Sequence, residues 1–498
     1  MKTPRKTPPV PTCAPYYFEP LQAGNFLLTN DWGGWAVLKA ADFAAYSAGK
    51  MAETHPMWEE LARSGFFLHS SDFAGCSEKF GKLHSSVFSG TTLHIIVLTL
   101  RCNQKCVYCH ASAKGPEEKR FDMDLATARK TVDLILSSSG KNLIIEFQGG
   151  EPFLNWEVLK FCVKYAREKA AKLKKSIDFK LVSNLSALDD EKLRFVFEND
   201  IGMGTSLDGP AAVHDRQRVL AGGSSHAQAV KWIKKFNDLR PRYLKKGYIY
   251  RLTALTTITR YSLDGAKALA DSYLRLGLRE IYARPLNPFG FTGDNWRLIG
   301  YSAAEYLAFY RELLEYLIAL NIKGVKVREK TAQAFLTKIL GGSDPANMDC
   351  RMVCGAAIGQ LAYNYNGDVY TCDEGRMLSV MGDESFRLGN VADTTYAQLL
   401  ESPVTKTLCV ASCLESLPGC SDCVFKPFCG VCPINSYFSG SLFPQKANDQ
   451  RCAINKGILR IIFEKLARPA DRAVLTSWLN DGWYRDRLKA GGVPRSAK

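Results

Sequence analysis

Thr99-Leu100-Arg101-Cys102-Asn103-Gln104-Lys105-Cys106-Val107-Tyr108-Cys109-His110 is the most informative segment of this chain. It follows an apolar, β-branched run, Leu93 to Leu98, that reads as a buried strand. Three cysteines spaced C-x3-C-x2-C then fall in one short loop. Such a loop can wrap three thiolates around a cubane iron–sulfur cluster, which normally takes four cysteine ligands. The fourth is missing locally, so one iron stays open, and an open position separates a catalytic metal site from a structural one. The competing reading is a zinc knuckle or three unrelated core cysteines. Zinc wants a fourth nearby Cys or His, and His110 adjoins Cys109, too close for usual ligand spacing.

The composition, 46% hydrophobic and 23% charged over 498 residues, is that of a folded protein with several domains. No apolar run is long enough to span a membrane. The basic N-terminus runs into prolines rather than an apolar segment, so no secretory signal is expected. Sixteen cysteines in such a chain argue for metal ligation over disulfides and for a reducing cytoplasm. The net charge of +15 suits an acidic partner, nucleic acid or peptide alike. No RNA- or DNA-binding motif appears, and neither nucleic acid nor membrane is expected as a partner.

Residues 1–12, rich in lysine and proline, read as a disordered tail. Residues 13–80 read as a small α+β module, with short strands at Phe18–Leu21, Asn25–Thr29 and Trp35–Leu38. Helices follow at Ala40–Ala48 and Met57–Ser64, and Gly65–Leu68 closes the unit. This order resembles the winged-helix leader-peptide recognition element of peptide-modifying enzymes, to which a peptide adds as an edge strand. Over 88–300, strands and helices alternate, which predicts a parallel sheet in an α/β fold. The strands are placed at Leu93–Leu98, Leu143–Phe147, Phe179–Val182, Gly202–Ser206, Tyr248–Thr256 and Glu280–Ala283. Helices are predicted at Leu125–Leu136, Trp156–Lys174, Glu191–Phe197, Ala227–Asn237 and Leu263–Leu276. Connecting helices over 301–345 start with Ser302 as N-cap. The cysteine-rich region spans 346–455, with helices and a frayed tail over 456–498. Ile454, Ile458, Ile461, Ile462 and Leu466 fall on one helical face.

The cysteine loop resembles the signature of the radical S-adenosylmethionine (SAM) enzymes, with Tyr108 in its aromatic position. The resemblance implies a partial (β/α)6 barrel and a 4Fe–4S cluster on Cys102, Cys106 and Cys109 whose open iron takes SAM. Further motifs follow at the predicted strand ends, where parallel barrels keep their chemistry. Gly149-Gly150-Glu151-Pro152 matches the family's GGEP motif, whose glycines let backbone approach the SAM amino group. Ser183-Asn184-Leu185 stands where a TNG-like motif is found, implying a role for Asn184 at SAM. Ser206-Leu207-Asp208-Gly209-Pro210 with His214-Asp215 and Arg218 resembles the SPASM branch of the family. It implies Ser206 at the SAM ribose or carboxylate and Arg218 as a fork for a carboxylate. A structural ion pair of Arg218 with Asp215 is the alternative. Arg284 to Pro288 is expected on the adenine side.

The later cysteines run Cys350-x3-Cys354-x12-Gly367-x4-Cys372, then Cys420-x2-Cys423-x5-Cys429-x2-Cys432, then Cys452. They resemble a C-terminal SPASM domain with two auxiliary 4Fe–4S clusters. The resemblance implies Cys350, Cys354, Cys372 and Cys432 on the first, and Cys420, Cys423, Cys429 and Cys452 on the second. Cys350 lies close before Cys354, so Cys409, Cys413 or an open site stand as substitutes for it; a pair of zinc sites is the other reading. Asp373 follows a cluster ligand where sulfatase maturases have an aspartate that takes a substrate proton. An aspartate that only braces the loop is the alternative.

The resemblance runs from Leu93 to Cys452 and implies an oxidoreductase that cleaves SAM reductively to a 5′-deoxyadenosyl radical. An electron donor such as flavodoxin or ferredoxin is implied. The N-terminal module makes the chain most similar to ribosomal-peptide maturases, and among them to the His-Xaa-Ser system maturases. A precursor peptide cross-linked or otherwise modified at its side chains is then the expected substrate, with a second maturase of that system as a further partner. Oxidation of Cys or Ser to formylglycine, as in sulfatase maturases, is the alternative chemistry. A non-catalytic iron–sulfur or zinc scaffold that presents peptides is the alternative class.

Overall fold

The computed structural model describes residues 12–68, 73–345, 350–440 and 449–479. The expected N-terminal tail, apart from Thr12, and the frayed C-terminus lie outside the described residues.

One nine-stranded sheet organises the molecule. Its six parallel barrel strands are Leu93–Thr99, Asn142–Gly149, Ser176–Ser183, Ile201–Ser206, Thr253–Thr257 and Ala283–Arg284. Leu93–Thr99 lies inside this sheet and is buried almost throughout, as its unbroken apolar run requires. Along Asn142–Gly149, buried Leu143, Ile145 and Phe147 alternate with half-buried Ile144, Glu146 and Gln148. One face therefore packs on helices while the other looks into a polar barrel interior. The α/β partial barrel expected from the sequence is present.

The cysteine-rich region is continuous with this barrel. Gln360–Tyr363 adds parallel to Leu93–Thr99, and Asp368–Tyr370 and Arg387–Asn390 extend it as an antiparallel meander. Gly367 turns the first of these hairpins at φ 86°.

Two strand expectations need correction. Tyr248–Leu252 is not strand; the fifth strand begins at Thr253, and Tyr248 instead donates to the Ile201 carbonyl. The sixth element is two short strands either side of Tyr282. Glu280–Ile281 pairs with Arg328–Glu329, and only Ala283–Arg284 joins the barrel. The helix predicted over Ala227–Asn237 continues as Ser225–Leu244. Ser302 caps Ala303–Ile322 in a reciprocal capping box with Glu305.

At the N-terminus, Tyr17–Pro20, Asn25–Thr29 and Trp35–Lys39 form a three-stranded antiparallel sheet, followed by helices Ala40–Ser47 and Trp58–Arg63. Phe67–Leu68 returns to pair with Thr12–Cys13. This module has its own apolar core of Leu28, Leu38, Tyr46, Leu61 and Phe66. It is tied to the segment between Cys423 and Cys429: Thr29 donates to the Val424 carbonyl at 2.6 Å, and Lys426 pairs with Asp31 at 2.8 Å. The helical face predicted after Cys452 is buried in the helix Asp449–Leu466.

Candidate active site

The cysteine loop is fixed from every side. At its start Arg101 grips Asp122 through Nε and Nη2, both at 2.7 Å, and also donates to the Pro116 and Leu154 carbonyls. Gln104–Cys106 pairs antiparallel with Arg218–Leu220, placing Arg218 opposite Cys106. At its end Phe291 N, Thr292 Oγ1 and Asn295 Nδ2 donate to the carbonyls of Cys109, Tyr108 and Val107. Gly290, at φ 58°, comes so close that a Cβ would sit 2.4 Å from the Cys109 carbonyl oxygen.

The three thiols lie within each other's electrostatic reach. Burial first, then the neighbouring Cys106, holds the Cys102 thiol far above its usual range. Burial pushes the Cys106 thiol up to about 12, against the pull of Arg218. Among the described residues, no three His, Cys, Asp or Glu side chains converge as they would on a single ion.

The GGEP residues lock the next strand end onto this loop. A Cβ on Gly149 would meet the Thr99 carbonyl oxygen at 2.1 Å, and one on Gly150 the Arg101 carbonyl oxygen at 2.1 Å. Only glycine allows that approach. Glu151 is fully buried and accepts from Phe153 N, Ser183 Oγ and Asn184 N, so it ties the second strand end to the third. Burial raises its carboxyl to about 7, against those three donors. Pro152 starts the turn leading into helix Trp156–Lys172.

Two side chains expected at SAM have protein partners. Asn184 Nδ2 donates to Asn103 Oδ1 at 3.1 Å and reaches Cys102 Sγ at 3.6 Å. The Arg218 guanidinium holds a carboxylate of the protein, Asp208, at 2.8 Å, and Nη1 lies 3.8 Å from Cys106 Sγ. Tyr108 donates to the same Asp208, and Arg218 stacks 5.0 Å from its ring. The alternative ion pair with Asp215 does not form; Asp215 accepts from Ser224, Ser225 and the His226 amide. Its place at the head of the next helix explains this. Ser206 is half-buried at the end of its strand.

The donor set fits a cubane with one open iron: three grouped thiols, two of them accepting N–H groups, beside a buried His110 Nε2 that has no hydrogen-bond partner among the described residues. The auxiliary cysteines form two groups. Cys372 is raised by burial and by Glu374, Cys432 and Cys354, which places those three thiols together. Cys429, pushed by burial up to about 12, feels Cys423, Cys452 and Cys420. Cys420, Cys423, Cys429, Cys432 and Cys452 line one cavity. Cys350 lines another, with Arg284, Asn287, Glu374 and Arg451. Ser412, between Cys409 and Cys413, accepts from the Cys354 amide at 2.9 Å, so that turn adjoins the first group as well.

Asp373 begins the helix Asp373–Val380 and is paired at 2.8 Å with Arg376, a guanidinium 1% exposed. Its neighbour Glu374 faces the cavity that Arg284 and Cys350 share. Nothing local in the sequence distinguishes Glu374 and Arg376 from surface charges, and Asp208, though inside the Ser206–Pro210 stretch, gives no sign there of its Arg218 partner.

An open parallel barrel with a three-cysteine loop at its first strand end is the arrangement of a radical SAM domain, and the profile of the Radical SAM superfamily matches residues 96–255. The chain is an enzyme, and its similarity to that superfamily lies within residues 96–255. The cysteine-type anaerobic sulfatase-maturating enzyme of Clostridium novyi is 23% identical over 338 residues, covering 66% of this chain and 83% of that protein. Among solved structures, anSMEcpe with bound AdoMet has a TM-score of 0.62 at 19% identity, covering 76% of this chain and 100% of the other. Streptococcus suis SuiB bound to precursor peptide SuiA has a TM-score of 0.53 at 13% identity, covering 89% and 99%. Among the described residues no helix is long and apolar enough to cross a membrane.

Proposed function

We propose that this enzyme modifies side chains of a ribosomally made precursor peptide. Cys102, Cys106 and Cys109 would hold the SAM-binding cluster, Cys350, Cys354, Cys372 and Cys432 the first auxiliary cluster, and Cys420, Cys423, Cys429 and Cys452 the second. When bound, the loop cluster supplies the electron that cleaves SAM to methionine and a 5′-deoxyadenosyl radical. The protein's own part is to hold and exclude. Gly149 and Gly150 draw the strand ends together beside the loop, and Ser206 offers a hydroxyl toward the bound SAM. Asn184 and Arg218 steady the Cys102 and Cys106 sulfurs through N–H donation.

The observation that carries the peptide reading is the N-terminal module. Among the described residues its strand Tyr17–Pro20 is a sheet edge, paired only with Asn25–Thr29. Phe18, 53% exposed, packs with Phe26 and Phe43 beside that edge, the latter two rings stacked at 4.4 Å. An edge strand beside packed aromatic rings suits an extended leader peptide. The module sits against the second auxiliary group, so a docked leader would direct its core toward the cavity of Arg284, Glu374 and Arg451. The relatives agree in kind: Streptococcus suis SuiB is seen bound to precursor peptide SuiA, and the Clostridium novyi protein is a sulfatase-maturating enzyme.

Formylglycine formation is the second reading, favoured by Asp373 directly after Cys372 and by the sulfatase-maturating relatives. A soluble donor such as flavodoxin or ferredoxin, a cytoplasmic site of action and assignment to the His-Xaa-Ser maturases complete the proposal. The test incubates reconstituted enzyme, SAM and reductant with the short peptide encoded beside the gene. A SAM-dependent mass loss on that peptide supports the reading. Turnover on a sulfatase-derived Cys or Ser peptide alone would replace it with the second.

A further inference from the structure

Helix Lys330–Ile339 carries Lys338, which is 2% exposed. The helix is rigidly seated: its N-cap Glu329 accepts from Ala332 N and Tyr310 Oη, both at 2.6 Å, and Trp35 donates to the Ile339 carbonyl. From this position the Lys338 ammonium donates to the Cys350 carbonyl at 3.0 Å and the Cys429 carbonyl at 3.3 Å. Cys429 belongs to the second auxiliary group, and Cys350 is the fourth thiol proposed for the first. One buried cation therefore spans both cysteine-rich loops.

Among the described residues Lys338 forms no ion pair. Asp344, the carboxylate whose charge reaches it, faces Arg351 at 3.6 Å. A buried ammonium held only by neutral carbonyls is costly, and proteins retain one where a negative charge compensates it. Iron-bound thiolates on either side would supply that charge. Net charge and hydrogen bonding around a cluster are also what set its potential.

We infer that Lys338 is a shared counter-charge for the two auxiliary clusters, holding their loops together and favouring the one-electron reduced state of each. Lys338 acts through this field and through the two carbonyls and does not touch substrate, so it is a positioning residue. The inference rests on the auxiliary-cluster reading and adds to it a residue outside every cysteine motif.

The test uses the full-length reconstituted enzyme with Lys338→Met, Lys338→Gln and Lys338→Arg. Iron content and a redox titration followed by electron paramagnetic resonance, with dithionite as reductant, are read on each. The neutral variants should keep their iron but shift the reduced-to-oxidised ratio of an auxiliary cluster about tenfold toward oxidised, which is about 59 mV for one electron. Lys338→Arg should stay near wild type. If both neutral variants lose auxiliary iron while Lys338→Arg keeps it, the need for the charge is equally established. Full iron with unchanged potentials in the neutral variants overturns the inference, as does an arginine variant that fails alongside them. Wild-type enzyme without auxiliary iron would instead remove the cluster reading beneath it.

Discussion

Replacing Glu151 by Gln should remove a specific slope from the pH dependence of stability. Glu151 is fully enclosed, and burial raises its carboxyl from 4.5 to about 7 although three donors and Lys192 pull the other way. The folded chain therefore keeps a proton there that the unfolded chain releases near pH 4.5. Its contribution is complete below pH 4.5, declines as pH rises, and is lost above about 7. That interval of about 2.5 pH units, at about 1.4 kcal/mol each, amounts to about 3 kcal/mol. Glutamine cannot titrate. It keeps one carbonyl for Phe153 N and Ser183 Oγ but turns an amide toward Asn184 N, a constant loss of about 1–3 kcal/mol. Urea unfolding of the cluster-free chains under reductant, followed by circular dichroism from about pH 4.5 to 8, gives the difference at each pH. Groups common to both proteins cancel. Wild type should lead by the larger margin at acid pH, with the gap narrowing by about 3 kcal/mol toward neutrality. A difference that stays constant across this range refutes the argument that burial outweighs the donors.

Other consequences follow from the geometry. Arg101→Met takes the guanidinium from half-buried Asp122, which keeps only the Thr99 hydroxyl as side-chain donor, and should cost about 1–3 kcal/mol, read as a lower thermal midpoint. Removing residues before about Phe80 should weaken binding of the precursor peptide while sparing peptide-independent SAM cleavage; undiminished affinity in a titration would count against leader recognition. Asp373→Asn should still cleave SAM, but with product down about 10²–10⁴-fold if Asp373 is the base. If its bond to Arg376 is its whole role, product should persist and the loss should fall on Glu374→Gln instead, the carboxylate facing the cavity. Measuring 5′-deoxyadenosine, modified peptide and iron on one preparation separates these.

The parts of the fold visible in the sequence are those specified within a few residues. The cysteine spacing, the glycine pair and the Ser302 cap each carry their physical reason locally: Gly149 must be glycine because the Thr99 carbonyl leaves no room for a Cβ. What escaped notice depends on distant partners. Cys106 and Arg218 are 112 residues apart, so nothing near Arg218 indicates that its fork is occupied by Asp208. The strand Gln360–Tyr363 is not anticipated from the sequence, because its pairing with Leu93–Thr99 is decided by a barrel edge more than 250 residues away. Tyr282 splits the sixth strand because the two halves find different neighbours. Lys338 has the spacing of any helical lysine, and its burial arises only when the two cysteine loops close over it.

On the proposed function, the loop of Cys102, Cys106 and Cys109 makes this chain a SAM-cleaving enzyme. The decisive experiment quantifies 5′-deoxyadenosine from reconstituted, iron-loaded protein given SAM and dithionite. Wild type should release it, and the variant with all three cysteines changed to Ala should not, while retaining the iron of its auxiliary sites. Release by the triple variant above the uncatalysed background, or none from fully loaded wild type, would contradict the account.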